Sequence, residues 1–131
     1  MYKNLTIASV LGLLGIILGA FGAHALKNKL SIDAMGSFET AIRYQMYHVI
    51  VLLFVNMFSG FSPKQKKVLS ILFFLGILLF SGSIYLIYLL GVSTKSIWFV
   101  TPLGGLLFVS GWFYMMISFL KRNQQQIVNK N

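Results

Sequence analysis

The sequence predicts an all-α integral membrane protein, with four transmembrane helices in an antiparallel bundle. Two observations carry that expectation. The 131 residues are 57% hydrophobic and only 10% charged, whereas a water-soluble domain carries about a quarter charged residues. The charges are also excluded from four long windows, Asn4–Leu26, Tyr44–Pro63, Val68–Thr94 and Ser96–Leu120, of 23, 20, 27 and 25 residues. Each reaches the roughly 20 helical residues, at about 1.5 Å apiece, that cross a hydrocarbon core of about 30 Å. Membrane β-barrels are instead built from strands of about 10 residues with alternating polarity, and the sequence has no such pattern.

One transmembrane domain, residues 1–131, is expected. The first helix is placed near Leu5–Leu26. Lys3, the apolar run Leu5–Phe21 and Ala23-His24-Ala25 together satisfy the pattern of a cleavable signal. The run is longer than a usual signal core and three further spans follow. A retained helix is therefore expected rather than cleavage after Ala25. The second helix is placed near Phe38–Phe61. The connection before it, Lys27–Ser37, reads in two ways. Ser31 could cap a short interfacial helix with Leu30, Ile32, Met35 and Phe38 on its apolar edge, or the segment is an ordered loop. The third helix, near Val68–Gly91, follows Ser62–Lys67, where Pro63 suits a helical first turn. The fourth, near Ile97–Leu120, follows Val92–Ser96, and Thr101-Pro102 shapes its first turn. The polar tail from Lys121 is expected to fray. Short connections force neighbouring helices to run antiparallel.

The net charge of +9 does not point to nucleic acid, because the basic residues sit at the span ends and form no basic face. There they meet anionic headgroups and set topology. Lys3, Lys64, Lys66, Lys67, Lys121, Arg122 and Lys130 fall on one side; Lys27, Lys29, Arg43 and Lys95 fall on the other. The excess of Lys and Arg predicts a multi-pass cell-membrane protein with both termini cytoplasmic. The chain has no cysteine, which removes disulfides, thiolate metal sites and thiol nucleophiles from consideration.

Small residues mark where helices can approach. Gly15, Gly19 and Ala23 are spaced by four along the first helix, and Gly76 with Ser83 and Gly104 with Gly111 are spaced by seven. Such stripes let backbones close on one another, within one bundle rather than in a homodimer seam. A candidate polar cluster lies at the outer ends of the first two helices: His24, Glu39, Arg43, Tyr44, Gln45, Tyr47 and His48. Glu39 and Arg43 have the favourable i,i+4 orientation of an ion pair, and Tyr44 and His48 are also four apart. A hydrogen-bond network tying the first helix to the second is the favoured reading. A headgroup or small-ligand site is the alternative, since Arg43 beside Tyr and His suits a phosphate. His24, His48, Glu39 and Asp33 show no recognised ligand spacing, so no metal and no cofactor are expected. Asn56, mid-span, is expected to bond to another helix, Trp98 to anchor at the interface, and the deeper Trp112 to pack. No nucleophile elbow, phosphate loop or paired intramembrane acid occurs, so no catalytic residue is assigned. The third and fourth helices are expected to serve mostly packing and lipid contact.

Four segments, GAFGAH at Gly19–His24, FETAIRYQMYH at Phe38–His48, FSGSIYLIYLLG at Phe80–Gly91 and TPLGGLLFVSGW at Thr101–Trp112, resemble the small membrane-protein family of YgdD, YwdK and transmembrane protein 256, known as domain of unknown function 423. The resemblance touches all four helices. It implies a four-helix inner- or plasma-membrane protein and brings no catalytic residues, while placing His24, Tyr44, Gln45 and His48 inside its motifs. The combined expectation is a non-enzymatic protein that supports membrane integrity or the assembly of a membrane complex. Its partners are then the bilayer and either a second membrane protein or further copies of itself. A transporter or channel subunit, or a binder of headgroups or small ligands at the outer ends of helices 1 and 2, are the rivals.

Overall fold

The computed structural model describes residues Tyr2–Asn129; Lys130, counted above among the cytoplasmic-side cations, lies outside the described residues. Four α-helices occur among the described residues. They are α1 (Tyr2–Phe21), continued by a π-helical turn at Gly22–Leu26, α2 (Ile32–Met57), α3 (Pro63–Leu90) and α4 (Val100–Val128), with a single 3₁₀ turn at Thr94–Ser96 before α4. Several helices outrun the charge-free windows. Ser31 accepts a hydrogen bond from the Ala34 amide at 3.2 Å, so it caps α2 itself; of the segment read as a separate helix or a loop, Lys27–Leu30 is a turn and Ile32–Ser37 is the start of α2. The tail expected to fray from Lys121 continues α4 to Val128.

Local chemistry explains the other ends. Ser62 and Gln65 form a reciprocal capping box, amide to Gln65 Oε1 at 2.9 Å and Gln65 amide to Ser62 Oγ at 3.3 Å, with Pro63 in the first turn. At the far end of α3, Gly91 adopts φ +70°, the left-handed conformation that terminates helices and that only glycine takes without strain. The chain then hydrogen-bonds back from the Val92 amide to the Leu86 carbonyl at 3.1 Å.

The segments Tyr2–Leu26, Pro63–Leu90 and Val100–Val128 are long and apolar enough to cross a membrane. The helix α2 is long enough too, but Arg43, Gln45, His48 and Asn56 interrupt its apolar run. One of its faces is buried, with Gln45, His48 and Asn56 on it, while Tyr47, Ile50, Phe54 and Met57 are exposed. It packs against α1 on one flank and α3 on the other, and α3 packs against α4. The start of α1, the end of α2 and the start of α3 meet through Asn4, Asn56 and Ser70. The end of α4 joins them through Arg122, which donates to the Gly60 carbonyl. Successive helices therefore run antiparallel. The shared core is formed by Ala8, Val49, Leu52, Val55, Leu69, Phe73, Ile77, Phe108 and Met115.

Glycines set the closest approach, which lies between α3 and α4. A Cβ on Gly104 would land on the backbone of Phe80. One on Gly76 would meet the Phe108 ring at 2.5 Å, and one on Gly111 the Phe73 ring at 2.7 Å. Each helix thus inserts a phenylalanine into the other's glycine notch. On the other side, Gly15 gives room to Met46 and Gly22 to the Phe38 ring, whereas Gly19 is in ordinary contact with Ile42 and Ala23 is exposed.

Because the obstacle at Gly104 is backbone, it cannot rotate away. Gly104→Ala is expected to cost at least the 1–3 kcal/mol typical of overpacking. Gly36, with nothing within 4 Å of its added Cβ, is expected to gain up to about 1 kcal/mol as Ala. Unfolding of both variants in mixed micelles checks this, and equal stability of Gly104→Ala and the parent would contradict the packing described.

Candidate functional site

A polar side chain surrounded by hydrocarbon and apolar protein has no water to satisfy it, so it is costly unless another protein group bonds to it. Three such side chains line α2: Gln45, His48 and Asn56, with 2%, 5% and 2% of their surfaces exposed. They succeed one another along the helix, and each reaches neighbouring helices.

Gln45 is a two-sided latch. Its Nε2 donates to the Leu11 carbonyl of α1 at 2.6 Å, and its Oε1 accepts from the Tyr85 hydroxyl of α3 at 2.7 Å. The Tyr85 ring is in turn held edge-on by Phe38, with centroids 5.6 Å apart. Gly15 lies beside this bond, and a Cβ there would meet Met46 Sδ at 2.6 Å.

His48 faces α3 and α4. Trp112 Nε1–H donates to His48 Nε2 at 3.1 Å, and His48 Nδ1 lies 2.6 Å from the Tyr44 carbonyl. An indole N–H only donates and a carbonyl only accepts. The pair of bonds therefore fixes the tautomer with the proton on Nδ1, and both ring nitrogens are engaged. Phe108 stacks on the imidazole with centroids 3.6 Å apart and planes 6° from parallel, and Phe73 lies on its flank at 5.5 Å. Tyr44 extends this aromatic layer by stacking on Phe80 at 4.9 Å.

Asn56 closes the layer nearest the α2–α3 connection. Its Nδ2 donates to Ser70 Oγ at 3.0 Å and to the Leu52 carbonyl at 2.9 Å, while its Oδ1 accepts from Asn4 Nδ2 at 3.0 Å. Lys66 Nζ donates to the Asn56 carbonyl at 2.9 Å. Two hydroxyls add further ties: Ser81 donates to the Ala41 carbonyl across α2 and α3 at 2.7 Å, and Ser83 meets Thr101 across α3 and α4.

The seven residues of the candidate cluster do not gather into one site. Gln45 and His48 turn inward, and Tyr44 stacks half-exposed beside them. Tyr47 is exposed with its ring 6.2 Å from that of Tyr44. Glu39 and Arg43 form an exposed i,i+4 pair at 4.0 Å, of the kind worth about 0.3–0.5 kcal/mol. His24 lies exposed on the π turn. Partners on α3 and α4 were missed: Tyr85, Ser70, Ser81 and Trp112 carry the other halves of the bonds, so those helices do more than pack. The signal for Trp112 was present in its chemistry, since a deep indole N–H needs an acceptor. Among the described residues no three His, Cys, Asp or Glu side chains come together.

A helical body with three spanning-length apolar helices and its buried polar groups bonded between helices is that of a small multi-helix membrane protein. The chain belongs to the family described as protein of unknown function, DUF423, whose model matches residues 18–105. It is 42% identical over 103 residues to a UPF0382 membrane protein of Staphylococcus haemolyticus, covering 79% of this chain and 83% of that one. It is 43% identical over the same length to a UPF0382 membrane protein of Staphylococcus epidermidis, with the same coverage. It is 33% identical over 131 residues to the UPF0382 inner membrane protein YgdD of Escherichia coli, covering 94% and 93%. No solved structure matches the chain.

Hydrogen bonds between membrane helices average about 0.6 kcal/mol in double-mutant cycles and reach about 1.7 kcal/mol. A cycle of Gln45→Leu and Tyr85→Phe is expected to give a coupling energy in that range. A coupling indistinguishable from zero would remove the latch from any account of the fold.

Proposed function

We propose that the chain is a non-enzymatic four-span membrane bundle that supports membrane integrity or the assembly of a membrane complex. One observation carries this reading: each buried polar side chain of α2 bonds to other helices, Gln45 to α1 and α3, His48 to α4, Asn56 to α1 and α3. The same bonds support α2 as the fourth span, because intramembrane polar groups are tolerated where they face the bundle interior and pair. Asn4 and Leu11 contribute to them, which supports retention of α1 over cleavage after Ala25. The apolar outer face of α1, with Val10, Leu13, Ile16 and Ile17 exposed, contacts lipid. The E. coli relative, an inner membrane protein by name, supports the cell membrane as the location. The stripe Gly15, Gly19, Ala23 and the pairs Gly76 with Ser83 and Gly104 with Gly111 act in packing within the bundle.

Loss of the gene is expected to raise sensitivity to envelope stress, or purification in gentle detergent to bring down a membrane-protein partner in fixed ratio. Normal sensitivity together with a preparation free of partner overturns the proposal.

The bias of Lys and Arg between the two ends puts both termini in the cytoplasm. A reporter fused after Val128 is expected to read as cytoplasmic and one inserted in Lys27–Ser31 as external. An external reading at Val128 inverts the topology.

A further inference from the structure

We propose that the cavity between the start of α1, the end of α2 and the first turns of α3 is a binding site for an anionic phospholipid. The cavity measures about 620 Å³, within the range of about 300–1,000 Å³ of small-molecule sites. It is lined by the polar Asn4, Asn56, Lys66, Lys67 and Ser70 together with the apolar Phe61, Ile71 and Phe74. That mixed lining suits a phosphate-bearing headgroup joined to acyl chains. The cavity is open to lipid because α1 packs along α2 and not along α3, and Ile71 is exposed.

The polar lining is built to donate. Both amide nitrogens that contact Ser70 Oγ, Asn56 Nδ2 at 3.0 Å and Asn4 Nδ2 at 3.4 Å, give it protons. These fill the lone pairs of the hydroxyl oxygen and leave its own proton for a further acceptor. Ser70 lines the cavity, so that proton is available to an acceptor brought into it. Lys66 spends one of its three ammonium donors on the Asn56 carbonyl. Lys67 is exposed at the rim.

Charge selects the sign of the ligand. The chain has only two acidic side chains, Asp33 and Glu39. Both lie at the opposite end of α2, 23 and 17 residues before Asn56, which is about 35 and 25 Å at 1.5 Å per residue. Lys66 and Lys67 therefore have no side-chain counter-ion at their own end, and a lipid phosphate supplies one. The site lies at the end of the bundle opposite the Glu39–Arg43 pair. It needs only that α1 and α3 stand in a membrane, so it holds or fails independently of the supporting role proposed above.

The test uses the full chain in neutral detergent, titrated with phosphatidylglycerol, with phosphatidylcholine of the same acyl chains, and with inorganic phosphate, reading bound lipid by native mass spectrometry and thermal stability in parallel. Phosphatidylglycerol is expected to bind and stabilise preferentially. At roughly 1 kcal/mol per basic residue near anionic headgroups, Lys67→Gln is expected to reduce the preference about fivefold. Lys67 makes no bond that holds the fold, so this variant reports on the site alone. Lys66→Gln and Ser70→Ala are expected to reduce the preference as well, and Lys95→Gln, at the other end, to leave it intact. Equal binding of the two lipids, an undiminished preference in Lys67→Gln, or full stabilisation by inorganic phosphate alone would each overturn the proposal.

Discussion

The fold depends on the need to keep the polar groups of α2 away from lipid. Gln45, His48 and Asn56 share a buried face of α2 with Val49, Leu52 and Val55, residues of an ordinary apolar core. In hydrocarbon, an unsatisfied amide or imidazole costs several kcal/mol, more than any single interhelical bond returns. The face carrying these groups must therefore be covered, and the helices covering it must present acceptors and donors at matching heights. α1 offers a backbone carbonyl at Leu11 and the amide of Asn4, α3 offers Tyr85 and Ser70, and α4 offers Trp112. Once those heights are matched, the relative sliding of all four helices is fixed. Apolar packing alone would allow slippage, since lipid tails are as apolar as leucine and provide no hydrophobic drive between helices.

Close approach is the second requirement, and it is unequally distributed. Between α3 and α4, glycines admit the neighbouring backbone and two phenylalanine rings, so dispersion contacts are dense along the whole pair. This is also what holds the Phe108 ring flat on His48, because Phe108 reaches α2 only by seating against Gly76. The imidazole is thus fixed twice: by its two hydrogen bonds and by an aromatic ring whose own position depends on a glycine in a third helix. The α1–α2 contact is looser, with one tight notch at Gly15 and another at Gly22, and much of α1 faces outward.

The physical legibility of these features from sequence differed by kind. Long charge-free windows are a property of composition, and they marked the apolar helices well. Their ends were less legible, because helix ends depend on local bonds: Ser31 starts α2 at Ile32, and nothing in the polar tail halts α4 before Val128. Asn56 could be read as an interhelical donor because an amide in mid-span has few other options. The partners of Gln45 and His48 could not be read, since a tyrosine or tryptophan in an apolar run looks alike whether it anchors at an interface, packs, or donates across the bundle. Proximity along α2 suggested that Glu39, Arg43 and Tyr47 belong with Gln45 and His48, and a similar depth at the end of the first helix suggested the same of His24. A helix sends residues three apart to nearly the same face but neighbours to different ones, and the exposed and buried members of that segment separate on this account.

The uneven packing bears on how the two ends of the bundle differ. Near the α2–α3 connection, α1 is joined to the rest by the bonds of Asn4 to Asn56 and Ser70, yet α1 and α3 do not pack along their length. An opening remains there, bordered by lysines whose side-chain counter-ions lie tens of ångströms away. At the other end the two acids, Asp33 and Glu39, offset part of the charge of Lys27, Lys29, Arg43 and Lys95, and Glu39 pairs with Arg43. The cations with no acidic side chain near them therefore lie at the α2–α3 end. The asymmetry of Lys and Arg on which the proposed orientation rests is the same one on which the proposed headgroup site rests. One charge distribution thus supports both proposals, and the open side of α1 against α3 gives it a cavity in which to act.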